Sequence, residues 1–134
     1  MQLADGWLLA AAAVMGAAGS LVRYGTSRLY AKLGLRPEHA TLTVNLLGAG
    51  LLGMLLGGTA DLAHGGQYLL LGGSLLGGFT TFSTLMMQLA NLKEQRAHRR
   101  LYAYFLQTFF AGLLLAWIGY YAGQWLAGHF GPYT

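Results

Sequence analysis

The chain has 134 residues, of which 55% are hydrophobic and only 9% charged, with a net charge of +4 and a mean hydropathy of +0.48. A soluble domain carries about 25% charged residues, so this chain has too few to coat a water-facing surface, and its apolar content argues against disorder. Cysteine is absent, which excludes disulfides, thiolate metal sites and a cysteine nucleophile.

The charges are bunched, and the gaps between the bunches are long. Gly6 to Val22, His39 to Ala60, Leu62 to Leu92 and Leu101 onward carry no Asp, Glu, Lys or Arg. Each gap is near the length that crosses a hydrocarbon core of about 30 Å. None alternates apolar with polar residues as barrel strands do. The sequence therefore predicts an all-α membrane protein, a single domain over 1–134, with helices near 7–28, 40–60, 66–91 and 100–127. The first span follows Asp5 with no Lys or Arg before it, so it reads as a membrane helix rather than a signal peptide.

The loops are short and their charge is one-sided. Arg28, Lys32 and Arg36 separate spans one and two; Lys93, Arg96, Arg99 and Arg100 separate spans three and four. The N-terminus, the 61–65 loop and the C-terminal tail contain no Lys or Arg. The positive-inside rule puts loops 28–36 and 93–100 in the cytoplasm and both termini outside. Arg23 sits near the cytoplasmic end of span one, where its stem can snorkel.

Span three differs from the others. Gly77-Gly78 lies near its middle, and Thr80, Thr81, Ser83 and Thr84 follow at once. Glycine is poor in helix interiors, and Ser and Thr hydroxyls compete for backbone partners. The span is also longer than a straight crossing requires. This predicts a break near 77–81, where freed carbonyls can hold a cation as in transporters with discontinuous helices. The alternative is a kinked helix whose hydroxyls bond their own backbone.

No acid lies inside any span, which weighs against proton-coupled exchange. His39, His64, His98 and His129 sit at span ends or in loops, with no pair at helical spacing, so metal or haem ligation is not expected. No Ser–His–Asp grouping or phosphate loop is present, so neither an enzyme nor a nucleic-acid partner is expected. The polar groups inside the spans are neutral: Thr41, Thr43 and Asn45 in span two, the Thr/Ser cluster beside Phe82, and Tyr104, Gln107 and Thr108 in span four. Tyr104 and Thr108 share a face at i, i+4.

The string Gly-Gly-Phe-Thr-Thr-Phe-Ser-Thr at 77–84 resembles the signature of the fluoride channel family, called Fluc or CrcB. Thr41–Gly48, with Asn45, resembles that family's second-helix motif; Gly16–Tyr24, with Arg23, resembles its first-helix motif. The resemblance covers nearly the whole chain. It implies passive export of cytoplasmic fluoride through two pores at the interface of an antiparallel, dual-topology dimer in the cell membrane. It also implies a structural sodium ion at the dimer centre, held by the backbone carbonyls of Gly77 and Thr80 and their duplicates. The pore residues it implies are Asn45, Phe82, Thr81, Ser83, Thr84, Tyr104 and Thr108, with Arg23 drawing anions in.

Two features depart from the family pattern. Leu85 stands where members often carry a second pore Phe. The one-sided charge disfavours insertion in both orientations, which a homodimer of antiparallel chains needs. That points to a heterodimer with an oppositely oriented paralogue, with a charge-tolerant homodimer as the alternative. Among rival classes, a small multidrug exporter of similar layout would need a Glu in span one, which is missing. A non-conducting partner subunit held by Gly-rich packing is the other alternative.

Overall fold

A computed structural model describes residues 3–59 and 65–130. His64, the rest of the 60–64 stretch and both chain ends lie outside the described residues. The elements are α1 (Leu3–Lys32), α2 (Pro37–Thr59), α3 (Gly65–Phe79), α4 (Phe82–Glu94), α5 (His98–Leu106), a π-helical turn (Gln107–Ala111) and α6 (Gly112–Phe130). Four assemblies of these are long and apolar enough to cross a membrane: Gly6–Lys32, Pro37–Thr59, Gly66–Glu94 and His98–His129. The described residues contain no strand. Helices satisfy their own backbone groups, which is what a lipid solvent demands.

Local chemistry sets the ends. Gly34, at φ 68°, takes the left-handed turn after α1 that other residues adopt with strain. Pro37 opens α2, where its missing N–H and fixed φ suit a first helical position. Glu38 in that first turn complements the helix dipole. The break expected at 77–81 is narrower: only Thr80 and Thr81 leave the helix, while Gly77 and Gly78 stay inside α3.

The span pairs that run in the same direction pack most closely: α2 on α6, and α1 on α3. On α2, a Cβ at Gly53 would collide with the carbonyl of Ala116. The two backbones therefore touch directly, as small residues permit in membranes. Hydrogen bonds add further ties between spans. The hydroxyls of Tyr30 on α1 and Thr43 on α2 lie 2.9 Å apart. The Ser20 hydroxyl on α1 lies 3.1 Å from the Gly16 carbonyl and 3.3 Å from that of Gly78 on α3.

Few side chains are buried. Val44 is the most enclosed, and Leu85, Leu92 and Tyr104 form a small core between α4 and α5. Leu21, Leu113 and Trp117 stand out from the helices. An apolar exterior of this extent belongs against lipid or another subunit. Exposed Trp7, Tyr68 and Trp125 mark one end of the bundle; Tyr24 and Tyr102 mark the other, which carries the basic turns. Aromatic rings at both interfaces suit a multi-pass membrane protein.

The α2–α6 seam makes a prediction. Gly53→Ala forces the two backbones apart and should destabilise by about 1–3 kcal/mol, the usual range for overpacking. At Gly50 the added Cβ meets only ordinary contacts, at 3.7 Å from the Leu115 carbonyl oxygen. Gly50→Ala should therefore leave the thermal midpoint in detergent unchanged or slightly raised, since Ala favours helix. Equal effects of the two substitutions would contradict direct backbone contact at Gly53.

Candidate functional site

The break between α3 and α4 exposes backbone groups at membrane depth, and one side chain answers two of them. The Asn45 Nδ2 donates to the Thr81 carbonyl at 3.0 Å. The Thr81 N–H donates to Asn45 Oδ1 at 2.8 Å. Asn45 thus clasps Thr81 as one peptide group pairs with another. Gly48, on the same face of α2, lets the break approach: a Cβ there would collide with the Thr80 methyl.

Thr81 also caps α4. Its backbone is extended (φ −152°, ψ 121°), and its hydroxyl oxygen accepts from the Thr84 N–H at 3.3 Å. That is an N-cap, favoured for Thr. The same hydroxyl donates to Thr84 Oγ1 at 3.0 Å and lies 3.4 Å from Ser83 Oγ.

These bonds have a consequence for the carbonyls. In an unbroken helix the Thr81 N–H would go to the Gly77 carbonyl, and the Thr84 N–H to that of Thr80. Here the first goes to Asn45 and the second to the Thr81 hydroxyl. Gly77 and Thr80, the two residues named for a cation, are therefore carbonyls deprived of their helical donors. Among the described residues no group of three or more His, Asp or Glu gathers.

Beside the break lies a groove of about 570 Å³ between α2, α3, α4 and the fourth span. It gathers Asn45, Gly77, Thr80, Thr81 and Phe82 with Thr108 of the π-helical turn. Phe105 and Phe109 add two stacked rings, 6.3 Å between centroids. Phe82 is 72% exposed, so its ring stands free of its own subunit. Leu85 borders the same groove but is only 6% exposed, with its bulk packed against Leu92 and Tyr104.

Other expected residues lie elsewhere. Ser83 and Thr84 do not line the groove; they sit on the first turn of α4 beside the Thr81 hydroxyl. Tyr104 is buried one turn before Thr108, and its hydroxyl donates to Gln88 Oε1 at 2.7 Å. The Thr108 hydroxyl donates to the Tyr104 carbonyl at 2.8 Å. Arg23 is on α1, outside the groove, with its Nε buried and without a partner among the described residues.

Sequence reasoning passed over Gln88, although it is a polar residue in a membrane span, four positions after Thr84. It also passed over the π-helical turn, the two groove rings of the fourth span, and the ion pair of Arg100 Nη2 with Glu38 Oε1 at 2.9 Å. Residue types and spacing carry the first signal only.

Known proteins share this chain's pattern along most of its length. Residues 10–120 match the family model described as CrcB-like protein, Camphor Resistance (CrcB). A relative from Geobacillus kaustophilus (strain HTA426), named fluoride-specific ion channel FluC 1, is 42% identical over 113 residues, covering 84% of this chain and 94% of the relative. A fluoride-specific ion channel FluC of Thermus thermophilus is 39% identical over 118 residues, covering 87% and 93%. That of Phenylobacterium zucineum (strain HLK1) is 42% identical over 113 residues, covering 75% and 88%. No solved structure matches the chain. A family model spanning the four-helix bundle, and relatives of this identity over nearly their whole length, place the chain in the CrcB-like family.

Proposed function

We propose that the chain is a subunit of a fluoride-selective channel, not an enzyme, and that it lets cytoplasmic fluoride leave passively down its electrochemical gradient. The observation that carries the reading is the clasped break: a family-typical Thr-Thr-Phe-Ser-Thr segment, held open by Asn45, beside a groove with polar groups and free aromatic edges. The relatives named as fluoride-specific channels support it.

Fluoride is small and strongly hydrated, so a selective path must replace its water with several close donors. Asn45 has a second N–H beyond the one given to Thr81; the Thr81 and Thr108 hydroxyls line the groove and donate to the ion on turning from Thr84 Oγ1 and the Tyr104 carbonyl, with the Ser83 and Thr84 hydroxyls beside Thr81. Tyr104, whose hydroxyl donates to Gln88, continues the neutral polar groups toward the basic end. The positive edge of the Phe82 ring attracts an anion without a formal charge. Larger anions gain less from closely spaced donors. Arg23 is assigned the drawing-in of anions on the strength of the family motif alone.

The groove and the exposed Phe82 call for a second subunit, read as an antiparallel partner that completes two pores. The freed carbonyls of Gly77 and Thr80 suit a structural sodium ion at that interface, since hard cations take oxygen ligands. Such an ion would add fixed positive charge and pin the two breaks together. The one-sided charge of the loops favours an unlike, oppositely oriented partner over a second copy, with loops 28–36 and 93–100 cytoplasmic and the termini outside. Leu85, which has no positive ring edge, weakens one fluoride site of the family pattern.

Fluoride efflux from liposomes, read by a fluoride electrode, tests the function. Fluoride without chloride efflux from the chain, alone or with a paralogue, is expected. Drug transport without fluoride efflux would instead support an exporter. Phe82→Ile should cut efflux at least about tenfold. Asn45→Asp should do the same. It replaces a donor facing the Thr81 carbonyl with a carboxylate oxygen, and it should also destabilise by about 1–3 kcal/mol for the carbonyl left unpaired. Wild-type efflux rates in both variants would remove this groove from the pathway.

The sodium reading makes a separate prediction. Replacing sodium by N-methylglucamine should lower the thermal midpoint of the purified assembly, and Gly77→Ala should not change that dependence, because the donor is a backbone oxygen. A midpoint indifferent to sodium would dismiss the ion.

A further inference from the structure

α1 is longer than a crossing requires. Its membrane-spanning stretch, Gly6–Lys32, has 27 residues, whereas a hydrocarbon core of about 30 Å takes about 20. The exposed Trp7 ring marks one membrane surface, as Trp does at interfaces. Counted from there, the core ends near Ser27, and the last turn of α1 lies among lipid headgroups.

The segment after Ser27 has the wrong surface for water and the wrong charge for hydrocarbon. Leu29, Leu33 and Leu35 are 54, 62 and 46% exposed. Each stands next in sequence to a basic residue: Arg28, Lys32 and Arg36. Such a mixture settles at the boundary between headgroups and acyl chains, with the leucines in the chains and the cations at the phosphates.

The charges give the second observation. Arg28 and Lys32 are exposed and lie one helical turn apart on one face of α1. Among the described residues neither has an ion-pair partner; the ion pair formed there is Arg100 with Glu38. Tyr24, one turn earlier on the same face, is also exposed, and the Arg28 guanidinium carbon lies 5.9 Å from its ring centroid. That contact steadies the guanidinium and leaves its charge available. Neither cation lines the groove or the pockets beside Arg100. No α1 residue lines the groove, where a second subunit is read, so this face of α1 is left to lipid.

We propose that the Tyr24–Arg28–Lys32 face of α1 binds the headgroup of an anionic phospholipid, which anchors the turn between α1 and α2 at the membrane surface. Arg28 and Lys32 donate charge-assisted hydrogen bonds to the phosphate, and the exposed leucines meet the acyl chains. A headgroup of net negative charge is preferred to a zwitterionic one, whose ammonium is repelled by the same two cations. Each basic side chain near an anionic surface is worth about a fivefold change in affinity. The site does not depend on what the groove conducts.

The test is the thermal midpoint of the purified assembly, washed free of lipid in detergent and titrated with phosphatidylglycerol or with phosphatidylcholine of the same chains. Phosphatidylglycerol should raise the midpoint to a plateau, and phosphatidylcholine should raise it much less. The paired substitution Arg28→Gln and Lys32→Gln should leave the lipid-free midpoint unchanged, since it breaks no ion pair. It should raise the phosphatidylglycerol concentration needed for half the shift by about 25-fold, two side chains at about fivefold each. Arg99→Gln removes an exposed cation from the other basic turn and should respond at the wild-type concentration. Equal stabilisation by the two lipids overturns the charge-selective site. A paired variant that responds as wild type does, or one matched by Arg99→Gln, overturns its placement on α1. The same shift from inorganic phosphate overturns lipid as the occupant.

Discussion

An unpaired backbone group inside hydrocarbon costs several kcal/mol, and this fold is organised around one place where the backbone is broken at that depth. At Thr80–Thr81 the third span stops being a helix and starts again. One amide side chain on a neighbouring helix makes the interruption tolerable, because Asn45 offers a donor and an acceptor at the spacing of a peptide group. The Thr81 hydroxyl then caps the restarted helix from inside the break. Much of the rest follows from this. Asn45 can reach Thr81 only if α2 lies close to the break, and Gly48 makes that approach possible. The register of α2 against α3 is thereby fixed, and the bare-backbone seam carries α6 along with α2.

The same economy explains what is left open. Helices that meet through glycine bury little side-chain surface, so the bulky residues of the spans point outward. Toward lipid that is favourable. At the groove it is not, because Thr81 and Thr108 would face hydrocarbon beside Phe82 and the two rings of the fourth span. A surface that mixes hydroxyls with free aromatic edges is suited to water, to an ion or to another subunit. The completing subunit in the proposed channel resolves that mixture: its apolar contacts cover the rings, and the ion path keeps the hydroxyls wet.

How far the sequence discloses this depends on what kind of signal each feature leaves. The four spans are legible because little besides a membrane crossing requires a charge-free run of that length. The break is legible from Gly and Thr density, yet its extent is not. Gly77-Gly78 reads as the break itself, but Gly78 serves close approach to Gly16 of α1, and both glycines remain helical. The residue that ends the helix is Thr81, through its cap and its clasp, and that requires knowing where Asn45 lies. Leu85 reads from the family pattern as a pore position, whereas most of its surface is inside the subunit against Leu92 and Tyr104. The π-helical turn has no compositional mark, because one inserted residue changes hydrogen-bond register without changing residue type. The Arg100–Glu38 pair joins residues 62 apart and becomes visible only when α5 is laid beside α2.

Where charge is placed, and where it is withheld, closes the physical account. Groups near the break are neutral, and the cations Arg36 and Arg100 stand at the end of the bundle. Coulomb attraction at 4 Å grows from about 1 kcal/mol in water to about 4 kcal/mol at an effective dielectric near 20. A cationic side chain in contact with an ion in the groove would therefore hold a small anion far longer than one in water, and conduction requires that every site release what it binds. Hydroxyls, one amide and a ring edge each attract weakly, but they can act together around a small ion.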